Sequence, residues 1–452
     1  MQGTYTNVFS RSALMTGLYP FHLGRQGEPI ANTQPTGLTL DRKLMPEYLK
    51  EKGYSTHLVG KWHLGFCKEE FLPTNRGFDT HQGFWSGYET YYTKIVEDEA
   101  YNDYTGYNFV NGESAQFDAN GTYSTHLYTQ LAEKVITDHA QSNPGTPLFL
   151  YLAYQAPHSP LEVPQQYEDL YSNIENDDRR VFSAMVTAMD ESVGNVTLAL
   201  KDNGLYDNTI IVFLGDNGGD VGKPPHKSCG EVGPRPGAGN NFPLRGMKNT
   251  LFEGGVRTPG FVHSPLLQDQ GMISNQLIHI TDWLPTLYNL AGASSEEVEA
   301  LDIDGVNQVD LILEASSGQS RRDGFVVNIN ENAEGKTQAA LRDGKYKLIM
   351  NPPPRDGWIE PPTANGQLDE HHCKLPNTSL KTEVGGQMDN ILLFDIESDP
   401  EEREDISDQF PDVVSEMVIK VSELKQEMIP ADEPAWLERV GVEDGVWVTG
   451  WC

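Results

Sequence analysis

The sequence predicts an α/β protein built on a mainly parallel sheet flanked by helices, followed by a smaller α+β part with an antiparallel sheet. Three observations carry this. Residues 147–154 and 209–214 are continuous apolar runs of strand length. Amphipathic helical stretches at 125–140 and 179–202 alternate with them. Beyond about residue 315 the texture changes to short strand-like pieces among turns. Strand, helix and strand joined by short links imply a right-handed crossover and therefore parallel neighbours.

The elements follow in order. Residues 44–52 read as a helix, Gly53 suits its C-cap, and 55–59 follow as a strand. Across 125–140, Leu127, Leu131, Val135 and Ile136 share one helical face. After the turn Asn143-Pro144-Gly145, residues 147–154 have the unbroken apolarity of a strand buried on both faces. Phe182, Met185, Val186, Met189, Val193 and Val196 recur at helical spacing across 179–202, Gly204 closes that helix, and 209–214 reads as a second buried strand. In the last third, 324–329, 339–341, 346–350 and 391–395 are strand-like. One amphipathic helix over 411–428 carries Val413, Val414, Met417, Val418, Val421 and Leu424. The expected division is a larger α/β unit at 1–318 and a smaller α+β unit at 319–452.

Composition excludes several functions. With 33 Lys+Arg against 66 Asp+Glu, the 452-residue chain has a net charge of −33, so it lacks the cations that a general nucleic-acid binder needs. The same balance disfavours an anionic membrane surface, and any anionic ligand must be drawn by a local basic cluster. A hydrophobic fraction of 38% with 10% aromatics excludes a wholly disordered chain. No apolar run approaches the roughly 18–20 residues of a membrane span, and MQGTYTNVFSRS has no apolar stretch of the kind a signal peptide carries. Asn120, Asn195 and Asn377 open N-x-S/T sequons, which matter only in a secretory protein. Cys67, Cys229, Cys373 and Cys452 show no metal-type spacing; they permit two disulfides in three connectivities, or buried thiols. Nothing in the sequence specifies an oligomeric state.

Candidate chemistry sits just past the predicted strands. Asp216-Asn217-Gly218-Gly219 follows the strand ending at Leu214, and a carboxylate with an amide oxygen suits a hard cation such as Ca²⁺; an Asx-turn leaving a strand is the competing reading. Lys61 and His63 follow the strand 55–59 and point the same way in extended chain, which suits an anion clamp beside a proton donor; a surface lysine with a packed histidine is the alternative. His158 is presented between Pro157 and Pro160 after the strand 147–154, where a lone loop histidine is ordinarily inert. Arg245 and Lys248 add cations in a glycine-rich loop, where solvated loop charges are the plain reading. Together they form a convergent set, because carboxyl ends of parallel strands are where such sheets place ligands.

These residues resemble the type I sulfatases, nearest to the arylsulfatase B, or N-acetylgalactosamine-4-sulfatase, type. The resemblance rests on GKWHLG at 60–65, PTNRGFD at 73–79, QAPHSPLEVP at 155–164, DNGG at 216–219, GMKNTLFEGGVRTPG at 246–260, HITDWLPTL at 279–287 and LFDIESDPEE at 393–402. It spans nearly the whole chain in order. It implies an alkaline-phosphatase-like fold, with 1–318 as the catalytic-type unit, hydrolysis of aryl sulfates or sulfated glycans, and a secreted or lysosomal setting. Position by position, Asp216 and Asn217 match Ca²⁺ ligands, and Lys61 and Lys248 match lysines on the sulfate oxygens. His63 and His158 match histidines near the nucleophile and the leaving oxygen, and Arg11 the arginine that steadies the nucleophile. A tetrahedral anion neutralised by several cations, with a histidine to protonate the departing alkoxide, is coherent chemistry.

Two departures stand out. The family signature reads C-x-P-S-R-x-x-L-x-T-G, its Cys being oxidised to formylglycine, and here only SRSALMTG at 10–17 is kept. Without a gap Asn7 takes the Cys position and Phe9 the Pro position; with a lost C-x-P tripeptide, Phe9 joins Ser10 directly. Either way the nucleophile is missing. Family members also begin with an apolar strand ending in paired aspartates, and this sequence opens just ahead of the signature. The expectation is thus a chain with two of four metal side chains, weak Ca²⁺ binding and impaired turnover. The alternative is a secreted pseudo-sulfatase acting as a binding or structural protein. A metal-dependent phosphatase or phosphonate hydrolase on the same fold is disfavoured by the sulfatase-type flanks.

Overall fold

The computed structural model describes the chain apart from residues 1–6, 99–103, 222–237, 315–317, 353–356, 361–379, 385–386, 433 and 435–440. Cys229, Cys373 and the Asn377 sequon lie outside the described residues.

The N-terminal part carries strands β1 (Ser55–Lys61), β2 (Thr80–Phe84), β3 (Ile95–Asp98), β4 (Tyr104–Tyr107), β5 (Val110–Asn111), β6 (Ser114–Ala115), β7 (Leu148–Ala153), β8 (Ile211–Leu214) and β9 (Gly260–His263). One sheet has the order β6-β5-β2-β1-β7, with β1 parallel to both β2 and β7 and the short β5 and β6 antiparallel. Gly60 opposes Ala153 and Gly83 in this register and adopts φ +102. A Cβ at Gly60 would lie 2.2 Å from the Ala153 carbonyl oxygen, so only glycine allows the strands to close there.

Helices α1 (Asn7–Thr16), α2 (Met45–Glu51), α3 (Ser124–Ser142) and α4 (Asp177–Asp202) belong to this part. The buried stripe of α3 is Tyr128, Ala132, Val135 and Ile136, with Leu127 and Leu131 only partly covered. In α4 the Asn176 side chain accepts from the Arg179 N–H, a regular N-cap. That helix packs on α3, and its buried Ala184, Met185 and Ala188 cluster with Tyr91, Tyr123, Ala156 and Tyr167, while Val186 is exposed.

Two expectations change. Residues 147–154 and 209–214 do form strands, yet their side chains are mostly half-buried rather than covered on both faces. Among the described residues strand β7 has a single sheet partner, β1, and β8 pairs antiparallel with β9 instead of joining β7. Apolar continuity marks a strand but does not say which edge it closes.

The C-terminal part is a five-stranded antiparallel sheet, order β10-β11-β12-β14-β13, from β10 (Gly324–Glu331), β11 (Thr337–Asp343), β12 (Tyr346–Met350), β13 (Leu380–Val384) and β14 (Gln387–Asp395). Helix α5 (Pro411–Lys425) covers it with Val414, Met417 and Val421. The chain then returns to the N-terminal part. The hairpin β15 (Val442–Glu443) and β16 (Val446–Trp447) lies beside β4, and Cys452 is disulfide-bonded to Cys67. Trp447 is buried against Phe66. The arrangement is thus an α/β part on a sheet with a parallel centre, followed by a C-terminal antiparallel sheet, as the sequence predicts.

Candidate active site

Lys61 is the last residue of β1, with 1% of its surface exposed. His63 follows with φ 58, a left-handed bend that turns it away from the strand direction. Its Nε2 donates to the Ile30 carbonyl at 3.1 Å, so the lone pair of the neutral ring is on Nδ1. That Nδ1 is buried without a hydrogen-bond partner. Burial first, then the charges of Lys61 and Arg11, hold His63 well below its ordinary pKa, so the ring is neutral. Lys61 is likewise held well below its ordinary value, by burial and then by Arg11 and Lys248, with Asp216 pulling the other way.

Arg11, on α1, joins these groups. Its Nη1 donates to the Lys61 carbonyl at 3.1 Å and to the Tyr151 hydroxyl at 3.2 Å, and its Nη2 lies 3.6 Å from Asp216 Oδ2. The Arg11 Nε is buried with no partner. Asp216 leaves β8, its side chain 38% exposed. The Asn217 amide donates to the next carbonyl, of Gly218, at 2.8 Å. The Lys248 N–H bonds the Gly219 carbonyl at 3.2 Å, which ties its loop to the turn after β8. The Ser10 hydroxyl donates to the Asp216 carbonyl. Asn7 opens α1, and its side chain is outside the described ones.

His158 lies five residues beyond the end of β7. Its Nδ1 faces the Ser159 carbonyl at 2.7 Å; a carbonyl only accepts, so Nδ1 carries the proton and any second proton goes to Nε2. The segment 87–91 connects it to His63. A Cβ on Gly87 would sit 2.8 Å from His63 Cε1, the Tyr88 ring lies alongside the His158 ring, and the Tyr91 hydroxyl donates to the His158 carbonyl at 2.8 Å.

Arg11, Lys61, His63, Asp216 and Lys248 therefore form one electrostatic cluster, with His158 reached through Gly87 and Tyr88. Three cations against one carboxylate suit a small oxyanion. Arg245 is not a solvated loop charge: it is 1% exposed, stacks 4.0 Å from the Phe252 ring, and its Nη1 bonds the Glu402 carbonyl. Beside it Lys347 is paired with both Glu253 and Glu402 at 2.8 Å, all three fully buried. Tyr151, Tyr88 and Gln155 escaped the sequence reading. Tyr151 carried a signal, being a hydroxyl inside an otherwise apolar strand next to predicted ligand-bearing loops.

The Ca²⁺ expectation meets a poor donor set. Asp216 and Asn217 supply one carboxylate and one amide, and the carboxylate faces the Arg11 guanidinium. Among the described residues no three His, Cys, Asp or Glu side chains gather as a metal site. A hard dication needs more anionic oxygen than these residues supply.

The sulfatase family profile matches residues 2–293. The chain is similar to arylsulfatase J of Mus musculus, 38% identical over 97% of this chain and 71% of the relative. It is also similar to arylsulfatase A of Bos taurus, 28% identical over 92% of this chain and 77% of the relative. N-acetylgalactosamine-6-sulfatase of Mus musculus is 28% identical over 93% of this chain and 77% of the relative. Among solved structures, Ps i-CgsB in complex with k-i-k-neocarrahexaose superposes with a TM-score of 0.75 at 27% identity, covering 95% of this chain and 84% of that one.

Proposed function

The chain belongs to the sulfatase family, and from that premise we propose that its pocket binds the sulfate ester of a small molecule or glycan through Lys61, Lys248 and Arg11. The observation that carries this is Lys61, buried at the carboxyl end of β1 within reach of the charges of Arg11, Lys248 and Asp216. Burial works against the Lys61 charge and a bound anion favours it, and the orphaned Arg11 Nε offers a further donor. His158 stands on the leaving-group side; with Nδ1 committed to a carbonyl, it delivers a proton from Nε2 only as the imidazolium.

Hydrolysis of sulfate esters is the family chemistry, and we infer that this chain does not complete it. Whether Asn7 stands at the signature position or the C-x-P tripeptide is lost, no Cys is there to become an aldehyde hydrate. The neighbouring hydroxyl, Ser10, is bonded to a backbone carbonyl and lies outside the Cys context of the maturation signal. Neutral His63 then has no hydroxyl to activate. Anion binding survives, because it does not need the attacking atom, while covalent catalysis is lost. The setting is secretory or lysosomal, supported by the Cys67–Cys452 disulfide and the exposed sequon residues Asn120 and Asn195. We also propose units at 1–318 and 319–452, with residues 441–452 docking back onto the first.

A chromogenic sulfate assay and sulfate calorimetry together test this. The chain co-expressed with a formylglycine-generating enzyme is expected to show no turnover above a heat-denatured control, yet to bind sulfate. Robust hydrolysis overturns the loss of turnover; absence of sulfate binding overturns the pocket.

A further inference from the structure

Beyond the anion cluster, the wall next to His158 has its own chemistry. The Tyr88 ring lies 6.2 Å centroid to centroid from the His158 ring at 17°, nearly parallel to it. It is half-buried, so part of the ring meets solvent. Three sets of bonds fix the segment that bears it. The Tyr88 hydroxyl donates to the Glu97 carbonyl. The Glu89 backbone is gripped by the Gln155 amide, whose Oε1 accepts from the Glu89 N–H at 2.9 Å and whose Nε2 donates to its carbonyl at 2.6 Å. The Tyr91 hydroxyl donates to the His158 carbonyl at 2.8 Å, and its N–H donates to Glu162 Oε2 at 2.6 Å. Gln155, His158 and Glu162 all belong to the loop after β7, so the loop and the tyrosine segment move as one body.

We propose that Tyr88 is the platform of a subsite for the ring of the alcohol from which the sulfate hangs, a pyranose or an aryl group. This rests on the reading of Lys61, Lys248 and Arg11 as the sulfate clamp and of His158 as the group beside the bridging oxygen. Whatever is attached to that oxygen lies on the His158 side of the clamp, where the Tyr88 ring runs nearly parallel to the imidazole. An aromatic ring held by its hydroxyl and by its backbone loses little freedom on binding, which is what a stacking platform requires. An aromatic face recognises a flat or gently puckered ring without specifying its hydroxyls.

The test is calorimetry on wild type, Tyr88→Ala and Tyr88→Phe with three probes: inorganic sulfate, p-nitrophenyl sulfate and a monosulfated N-acetylgalactosamine. Tyr88→Ala is expected to weaken the ring-bearing esters about fivefold and leave inorganic sulfate unchanged, which also certifies that the variant is folded. Tyr88→Phe keeps the ring and the backbone grip but loses the Glu97 tether, and is expected to bind inorganic sulfate as wild type does and the ring-bearing esters within about twofold of it. A loss confined to the aryl or to the sugar ester supports the subsite and assigns its ring. Unchanged ester affinity in Tyr88→Ala, or an equal loss for inorganic sulfate, overturns the subsite while the sulfate clamp stands. Failure of wild type to bind inorganic sulfate overturns both.

Discussion

The two ends of the site are built differently. At the β1 end, Lys61 closes a strand with a parallel partner on each side, and it and His63 are nearly withdrawn from solvent. The loop that follows is clamped by residues 441–452, whose Gly450 and Trp451 N–H groups bond the Cys67 carbonyl at 2.9 and 3.0 Å. At the β8 end, Asp216 leaves β8, whose residues are half-buried and whose one strand partner among the described residues is β9, and its side chain is 38% exposed. The difference teaches that perturbed ionisation and fixed geometry go with strands enclosed on both sides. The anion-holding half belongs to the core; the carboxylate half is an edge feature screened by solvent.

The sharpest way to break this comparison is a matched pair of glycines, each preceding a site residue. Gly60→Ala forces a Cβ into the Ala153 carbonyl at a positive φ and is expected to cost about 3 kcal/mol or more. Gly215→Ala meets nothing nearer than Thr258 Cβ at 3.1 Å, and is expected to cost under about 1 kcal/mol. Urea midpoints for both variants decide it, and equal costs would mean the β8 end is as tightly built as the β1 end.

Ligand affinity gives the next largest contrast. Lys61→Met is expected to weaken sulfate about thirtyfold, since charge-assisted hydrogen bonds in a buried setting are worth about 2 kcal/mol. Titration calorimetry reads this directly, and a change under about threefold would remove Lys61 from the clamp.

Protonation sharpens the contrast further. Glu89, behind the β1 end, is fully buried and accepts from the Tyr128 and Ser124 hydroxyls at 2.6 and 3.0 Å. Burial pushes its pKa from 4.5 to about 7, with Lys94 opposing. A carboxyl raised on folding stabilises fully below its unfolded pKa, and that contribution fades as pH rises through the folded one. Relative to Glu89→Gln, wild-type stability should therefore decline between pH 4.5 and about 7 and be flat above. Melting temperatures of both proteins across that window check the sign, and a difference that grows with pH would reverse the assignment.

The smallest effects belong to the β8 end. Asp216→Asn removes the one carboxylate opposing Arg11 and should tighten sulfate about threefold, the scale of a solvent-screened pair. Millimolar Ca²⁺ should shift the wild-type melting temperature by less than about 1 °C. A clear Ca²⁺-induced rise, abolished in Asp216→Asn, would show a cation site at this end.

Sequence by itself determined the alternation of helices and strands, the all-antiparallel C-terminal sheet with its covering helix, and the loops carrying Lys61, His63, His158, Asp216 and Lys248. These are local signals, written in periodicity and in residues just past apolar runs. Tertiary structure alone decided the rest. It put β8 beside β9 rather than β7, since an apolar run does not name its partner. It aimed Arg11 at Asp216 and buried Arg245 over Phe252 beside the Lys347–Glu402 pair. It set Tyr88 against His158 and joined Cys67 to Cys452 across 385 residues. Each is a contact between segments far apart in sequence, fixed by which surfaces the packed core leaves adjacent, and no local pattern encodes that choice.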